Sequence, residues 1–494
     1  MVALSKPTLL NYSCYELGHT WTPSCTKASL DVAKSVFVEA LKIYGSLYFI
    51  AGLVRRKGKK YYRDKFLREL AQSTLFLTTN GTLFITCFCI WRKLLGTVYR
   101  RNLVSSFSYR HTIGFVPCLM AAYVAIILER KSRKINGRHM YLVNTLAFLP
   151  SMMACLIASP LERKSRRGLL AMYTGNLAIE TIWRMLKARG LVRSLPNGEV
   201  LLFSVAAAIY LYYFKKDNGL PAGTLSMFKK VFGASETQPS GEHVVSMVTE
   251  DVSRSRSSSR HNTVQHIWAN VLRLLQSCPR HRLCRHQHAC VYYVLEGSLK
   301  MFGIGYVIQA VIKLLSTITK VFRRPKTVIS ALFNTTNLQL GAFLAGFVGI
   351  YRGLNCVLRW CRDKDDSMHG LVAGFVAGWS MMFYKSSTIA IYSALRVAEM
   401  LYFKGIELGR LPYIRCADII LYSISTSIVF HAAVLEPHNL RPAYWNFLLR
   451  VTGNRFAEMN RKLLDPWVHN CSHINPNFWP NYDMRFTKLV KPTS

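Results

Sequence analysis

Leu338-Gln-Leu-Gly-Ala-Phe-Leu-Ala-Gly-Phe-Val-Gly-Ile-Tyr-Arg-Gly-Leu-Asn-Cys-Val-Leu358 decides the fold class. As a helix the stretch is long enough to cross a hydrocarbon core of about 30 Å, and its one charge is Arg352. Gly341, Ala345 and Gly349 recur at every fourth position. Small residues at that spacing lay a flat strip along one helix face, where a second backbone can approach closely in lipid. Ten further apolar runs accompany it: Val36–Val54, Ser73–Leu95, Thr112–Leu128, Met140–Leu161, Gly168–Leu186, Glu199–Phe214, Gly297–Leu315, His369–Tyr384, Ser387–Phe403 and Asp418–Val434. The run from His369 holds two consecutive G-x-x-x-G steps, Gly370, Gly374 and Gly378. Such a strip signals close packing and leaves open whether it meets a helix of the same chain or of a second copy in a homo-oligomer.

Composition agrees. Of 494 residues, 51% are hydrophobic and 18% charged, and the mean hydropathy is +0.16. Lys and Arg number 64 against 25 Asp and Glu, a net charge of +39. A nucleic-acid binder can be that basic but would not also be net hydrophobic, and 12% aromatic content excludes a disordered chain. We therefore expect an all-α, polytopic membrane helical bundle of ten or eleven spans, with the lipid bilayer as partner and no nucleic acid. The first 30 residues lack the pattern of a cleavable secretory or mitochondrial leader, so targeting is expected to lie inside the chain. Arg55, Arg56, Lys57, Lys59 and Lys60 follow the first run, and later loops are basic as well. The positive-inside rule gives no orientation here, but such clusters suit anionic lipid headgroups or an import receptor.

The chain divides into an amino-terminal Cys/His-containing segment (1–35), a first membrane half (36–216), a polar linker with a Cys/His-rich end (217–290), a second membrane half (291–440) and an amphipathic carboxy-terminal tail (441–494). Within the linker, Leu225–Phe232 reads as a short interfacial helix, and Ser253-Arg-Ser-Arg-Ser-Ser-Ser-Arg260 as flexible chain. The halves are related. Leu41-Lys-Ile-Tyr-Gly-Ser-Leu-Tyr-Phe-Ile50 matches Leu299-Lys-Met-Phe-Gly-Ile-Gly-Tyr-Val-Ile308, and Ala171, Tyr173, Glu180, Gly190, Leu202 and Ser204 align with Ala390, Tyr392, Glu399, Gly409, Leu421 and Ser423. Five runs per half would be the inverted-repeat plan of many transporters. A second, local duplication repeats Gly114–Arg133 as Ala147–Arg166, with Glu-Arg-Lys-Ser-Arg identical in both copies.

Several stretches carry a family resemblance. Cys14-Tyr-Glu-Leu-Gly-His-Thr-Trp21 with Cys25, Glu162-Arg-Lys-Ser-Arg-Arg-Gly-Leu-Leu170, Asn197-Gly-Glu-Val-Leu-Leu-Phe203, Met381-Met-Phe-Tyr-Lys-Ser386 and Tyr402-Phe-Lys-Gly-Ile-Glu407 resemble the transmembrane protein 135 family. Leu340–Ala377 is similar to the translocase channel family of the mitochondrial inner membrane, through its glycine spacing and an acidic loop followed by Ala-Gly. The local duplication and the tail after Pro466 depart from the pattern. The resemblance implies a multi-pass protein of peroxisomal and mitochondrial membranes that acts on mitochondrial fission–fusion balance, peroxisome organisation and lipid metabolism, with fission machinery as a partner. It brings no catalytic residues.

The remaining candidates are few. Glu180 and Glu399 sit mid-run at repeat-equivalent positions, where a charge must face protein or water. They would form a cation or proton site in a carrier, or simple ion pairs with Arg184 and Arg396. Arg92 and Arg352 read as snorkelling side chains. Cys14, His19 and Cys25 precede the first half, and Cys278, His281, Cys284, His286, His288 and Cys290 the second. Zinc usually takes a tight Cys-x-x-Cys or His-x-x-x-His pair, which these lack. The spacing favours core thiols over metal or disulfide, so no metal and no cofactor is expected. Asp363, Asp365 and Asp366 read as a solvated loop, and Asn80-Gly-Thr82 as an unused glycosylation pattern inside a span. Phosphate-binding, hydrolase and dinucleotide motifs do not occur, so an enzyme is not expected. An organising membrane protein and a transporter or channel for a metabolite, lipid or ion remain.

Overall fold

The computed structural model describes residues 12–100, 137–216, 219–233, 236, 279–286, 288–323, 328, 332–466, 468 and 470–490. Its helices in chain order are α1 (Cys14–Leu17), α2 (Cys25–Val54), α3 (Leu67–Arg100), α4 (Gly137–Ala158), α5 (Lys164–Ala188), α6 (Gly198–Lys215) and α7 (Ala222–Phe232). They continue with α8 (Cys290–Arg323), α9 (Thr335–Arg362), α10 (Ser367–Gly378), α11 (Ser387–Glu407), α12 (Ala417–Leu435) and α13 (Pro442–Val451). No strand occurs among the described residues, and the molecule is an all-α polytopic helical bundle.

Six helices are long and apolar enough to cross a membrane unaided: Cys25–Leu53, Lys59–Lys93, Gly198–Lys215, Cys290–Leu314, Thr335–Arg362 and Ala417–Leu435. Fewer helices pass that measure than the ten or eleven spans expected. Among the described residues, the apolar stretch that runs from α4 into the following turn covers Ala147–Leu161, α10 gives way after Gly378 to a 3-10 turn at Trp379–Phe383, and α5 and α11 carry internal charges. The outward faces are what lipid demands: Leu30, Phe37, Leu47 and Phe49 of α2 and Leu299, Val307 and Ile312 of α8 are all exposed.

Two compact units form, one from Met1–Ser194 with Tyr413–Ser494 and one from Leu195–Pro412. They divide the chain differently from the halves drawn at 36–216 and 291–440, because the fifth helix of each half is exchanged. In the first unit α2 and α3 run antiparallel, with Ser29 bonded to Thr86 at 3.2 Å near one end and Tyr48 to Ser73 at 2.7 Å near the other. Helix α12 then packs on α4 and α5. In the second unit α8 pairs with α9, and α6 lies against α10 and α11. Each fifth helix thus completes a bundle whose other long helices come from the opposite side of the linker.

Backbone geometry repeats with the sequence. Helix α5 ends before Gly190 at φ +68°, and α11 before Gly409 at φ +68°, the left-handed C′ position that glycine fills without steric cost. Helices α6 and α12 each start from a left-handed residue, Asn197 at φ 57° and Cys416 at φ 60°. Of the local duplication, the second copy supplies the end of α4 and the start of α5. The first copy, the Thr112–Leu128 run and the serine-rich linker stretch lie outside the described residues.

In Arg441–Trp467 the apolar residues keep largely to helical spacing and the basic ones take other faces, which suits a helix lying on the membrane surface or one packed against the protein; the structure takes the second. The tail helix stops at Val451, and Tyr444, Leu448, Val451, Phe456, Met459 and Leu463 are buried in the core of the first unit. Arg461, expected on a solvated face, is 7% exposed and donates to the carbonyls of Ala433 and Val434, the orphan acceptors at the end of α12. The face read as lipid-seeking is satisfied by protein. Helix α7 is anchored through Phe232, which packs onto Phe214, Phe347 and Tyr351. Asn80 is buried and donates to Tyr422 at 2.9 Å.

The helix exchange makes a prediction. Cleavage at a protease site engineered into Ser253–Arg260 should give fragments that co-purify in mild detergent, since α6 and α12 each pack among helices of the other fragment. Separation of the fragments without denaturant would contradict the exchange.

Candidate metal centres

The mid-run carboxylates are both engaged by arginine. Arg184 donates to Glu180 at 2.7 Å, and Arg441 closes on its other oxygen. Arg396 donates to Glu399 at 2.6 Å. The two glutamates fall in different units, each held by cations of its own surroundings.

The glycine strips meet helices of the same chain. A Cβ at Gly370 would collide with the Leu211 carbonyl, one at Gly374 would lie 2.9 Å from the Ala207 carbonyl, and one at Gly378 would strike Ser204. The doubled G-x-x-x-G strip is therefore the seat of α6. Gly341 and Gly349 face Phe302 and Ser298 of α8, where Gly305 brings the backbones together; Ala345, between them, is half-buried. Arg352 does not snorkel: it donates to the carbonyls of Phe232 and Tyr293 at 3.0 and 2.9 Å.

Acidic and basic groups at one end of α9 form a closed network. Arg359, with no exposed surface, donates to the equally buried Glu236 at 2.9 Å and reaches Asp365 at 3.3 Å. Lys215 donates to Asp365 at 2.6 Å and to Asn355 at 3.0 Å. Burial pushes the Asp365 carboxyl up, but Lys215 and Arg359 beside it prevail and hold it below its ordinary value. Asp365 is thus an ion-pair partner, Asp363 lies 3.4 Å from His281 at the surface, and Asp366 accepts from Ser367. The three do not converge as ligands.

The cysteines and histidines do converge. Cys14, His19 and Cys25 are joined by Cys89 from the far end of α3. In the second unit Cys284, His286 and Cys290 are joined by Cys356 from α9, and within each group the donor atoms lie within 4.8 Å of one another. The local folds that place them are alike. A short segment ahead of the first long helix presents a cysteine and a histidine. Cys25 and Cys290 are the first residues of α2 and α8, and the fourth cysteine sits near the end of the antiparallel partner. His19 Nδ1 lies 2.8 Å from the Thr22 carbonyl, and His286 Nδ1 2.5 Å from that of His288. Both histidines are buried. Hydrogen bonds from Cys89 and His19 lower the Cys14 thiol, and those from Cys356 and His286 lower the Cys284 thiol, both against burial.

Spacing along the chain named Cys14, His19 and Cys25 but missed Cys89 and Cys356, because the fourth donor comes from the next long helix. One signal was available: Cys89-Ile-Trp-Arg92 and Cys356-Val-Leu-Arg359 share a Cys-x-x-Arg pattern, which makes Arg359 the counterpart of Arg92. Cys278 lies outside the described residues. His281 and His288 stay outside the group, the first tilted against Trp360 and the second edge-on to Tyr292.

The carboxy-terminal tail closes over the first centre. Asn460 N–H donates to the Leu17 carbonyl at 3.1 Å, Thr20 to that of Glu458 at 2.7 Å, and Asp483 N–H to the Tyr15 hydroxyl at 3.0 Å.

Residues 11–147 and 134–187 match the N-terminal cysteine-rich region of transmembrane protein 135, and residues 290–399 match the Tim17/Tim22/Tim23/Pmp24 family. The two amino-terminal matches overlap, as a segment repeated within the chain would make them. No solved structure matches the chain.

Proposed function

From a chain that joins the cysteine-rich region of the transmembrane protein 135 family to a Tim17/Tim22/Tim23/Pmp24 segment, we propose an organising role in peroxisomal and mitochondrial membranes. The protein would regulate the balance of mitochondrial fission and fusion, peroxisome organisation and the lipid metabolism linked to both. The observation that supports this over transport is the pairing of Glu180 with Arg184 and Arg441 and of Glu399 with Arg396. Carboxylates clamped by arginine are poorly placed to exchange a cargo cation or proton. The exposed turn Arg55–Lys60 offers a surface of the right charge for anionic headgroups or for acidic faces of the fission machinery.

Glu180→Gln and Glu399→Gln separate the readings. In cells lacking the protein, the double variant should restore mitochondrial length and peroxisome number as well as the unaltered chain does. Its loss of rescue together with loss of flux in proteoliposomes would establish the carrier instead. Neutralising Arg55, Arg56, Lys57, Lys59 and Lys60 should abolish rescue or displace the tagged protein from its organelles. Full rescue with normal placement would leave the cluster a mere helix flank.

A further inference from the structure

We propose that each Cys3His group is a tetrahedral binding site for a zinc-class divalent ion, so that the chain carries two equivalent structural metal centres, one per unit.

The distances are those of a coordination shell. A tetrahedron with metal–sulfur bonds of about 2.3 Å has sulfur–sulfur edges of about 3.8 Å. The Cys14–Cys25 sulfurs are 3.5 Å apart, the Cys284–Cys290 sulfurs 3.8 Å, and Cys356 Sγ lies 3.7 Å from His286 Nε2. With every other donor pair of each group within 4.8 Å, a small shift of the side chains brings all four onto one ion; a disulfide would join only two and leave a thiol and an imidazole idle.

The histidines show the second requirement. A metal-bound imidazole commonly donates its other N–H to a carbonyl, which sets the tautomer and aims the free nitrogen. His19 and His286 both direct Nδ1 at a backbone carbonyl. The other ring nitrogen is then left for the sulfurs: His286 Nε2 lies 3.7 Å from Cys356 Sγ, and His19, with no exposed surface, contacts Cys14.

Charge fits as well. Three thiolates around a divalent ion leave one net negative charge, and Arg92 and Arg359 lie one turn after Cys89 and Cys356 on α3 and α9, Arg359 being paired as well with Glu236 and Asp365. The first residues of α2 and α8 also sit where helix dipoles favour thiolate. The arrangement occurs twice, on repeat-related helix pairs, so both copies have kept the same four donors. Each ion would staple the amino end of one long helix to the carboxy end of its partner and to the segment before it. Its binding energy would then be folding energy.

The test is metal content of the full-length protein, purified in detergent without chelator and without a histidine tag. Elemental analysis should find two zinc ions per chain, one in Cys89→Ser, one in Cys356→Ser, and none in the double variant. Cys87→Ser is the control: Cys87 is buried in the same helix but outside the group, and this variant should keep both ions. Should the cluster variants fail to fold, cobalt exchange into the unaltered chain is the second measurement. It should produce thiolate-to-cobalt charge-transfer absorption and tetrahedral ligand-field bands. The proposal fails if the unaltered chain carries no stoichiometric thiophilic metal, if cobalt gives only octahedral spectra, or if alkylation with mass spectrometry finds these cysteines in disulfides.

Discussion

Arg359→Met should lower the stability of the second unit by about 3–5 kcal/mol, the usual cost of removing one partner of a buried ion pair. Arg359 and Glu236 have no exposed surface, so the glutamate would be left charged in a site that excludes water. Asp365 would keep Lys215, at 2.6 Å, so the damage should centre on Glu236. The double variant Glu236→Gln, Arg359→Met should recover most of the loss, because the charge to be solvated has gone. Thermal unfolding in detergent reads both. Additive losses in the double variant would mean that the pair does not act as a unit and that Arg359 serves mainly through its packing.

Gly370→Leu and Gly378→Leu should be nearly as severe, at about 3 kcal/mol or more. Overpacking of a core commonly costs about 1–3 kcal/mol when side chains can shift. Here the obstacles are the Leu211 carbonyl and the Ser204 backbone, which cannot rotate away. Helix α6 must separate from α10 or tilt, and with it the bundle that binds it into the second unit. Gly303→Leu on α8, which meets nothing within 4 Å, is the control and should be tolerated. Size-exclusion profiles and melting curves compare the three. Equal behaviour of all of them would show that the strip is not a close helix contact.

The apolar period of Leu338–Leu358 and its companions was enough to identify lipid as the solvent and helix as the only secondary structure, since backbone polar groups in a bilayer must be satisfied within a segment. The repeat was legible too: Gly190 and Gly409 align in sequence and share a φ of +68°, because an αL turn can be recognised from its glycine alone. Small-residue spacing announced close packing at Gly370, Gly374 and Gly378. Those are local properties, carried by residues a few positions apart.

What the strip packs against is not local. That α6 crosses to the second unit and α12 to the first, that Arg461 caps α12 from 26 residues beyond its end at Leu435, and that Asp365 belongs to Lys215 and Arg359 follow only from which distant segments the fold brings together. The tail shows the limit most plainly. An amphipathic helix has the same pattern whether its apolar face meets lipid or protein, and only the burial of Tyr444, Leu448 and Val451 tells the two apart. The Cys3His groups divide in the same way. Cys14, His19 and Cys25 are near one another in the chain and could be named from it. Cys89 and Cys356 become ligand-positioned only because α2 with α3, and α8 with α9, run antiparallel, so that the end of one helix returns to the start of the other.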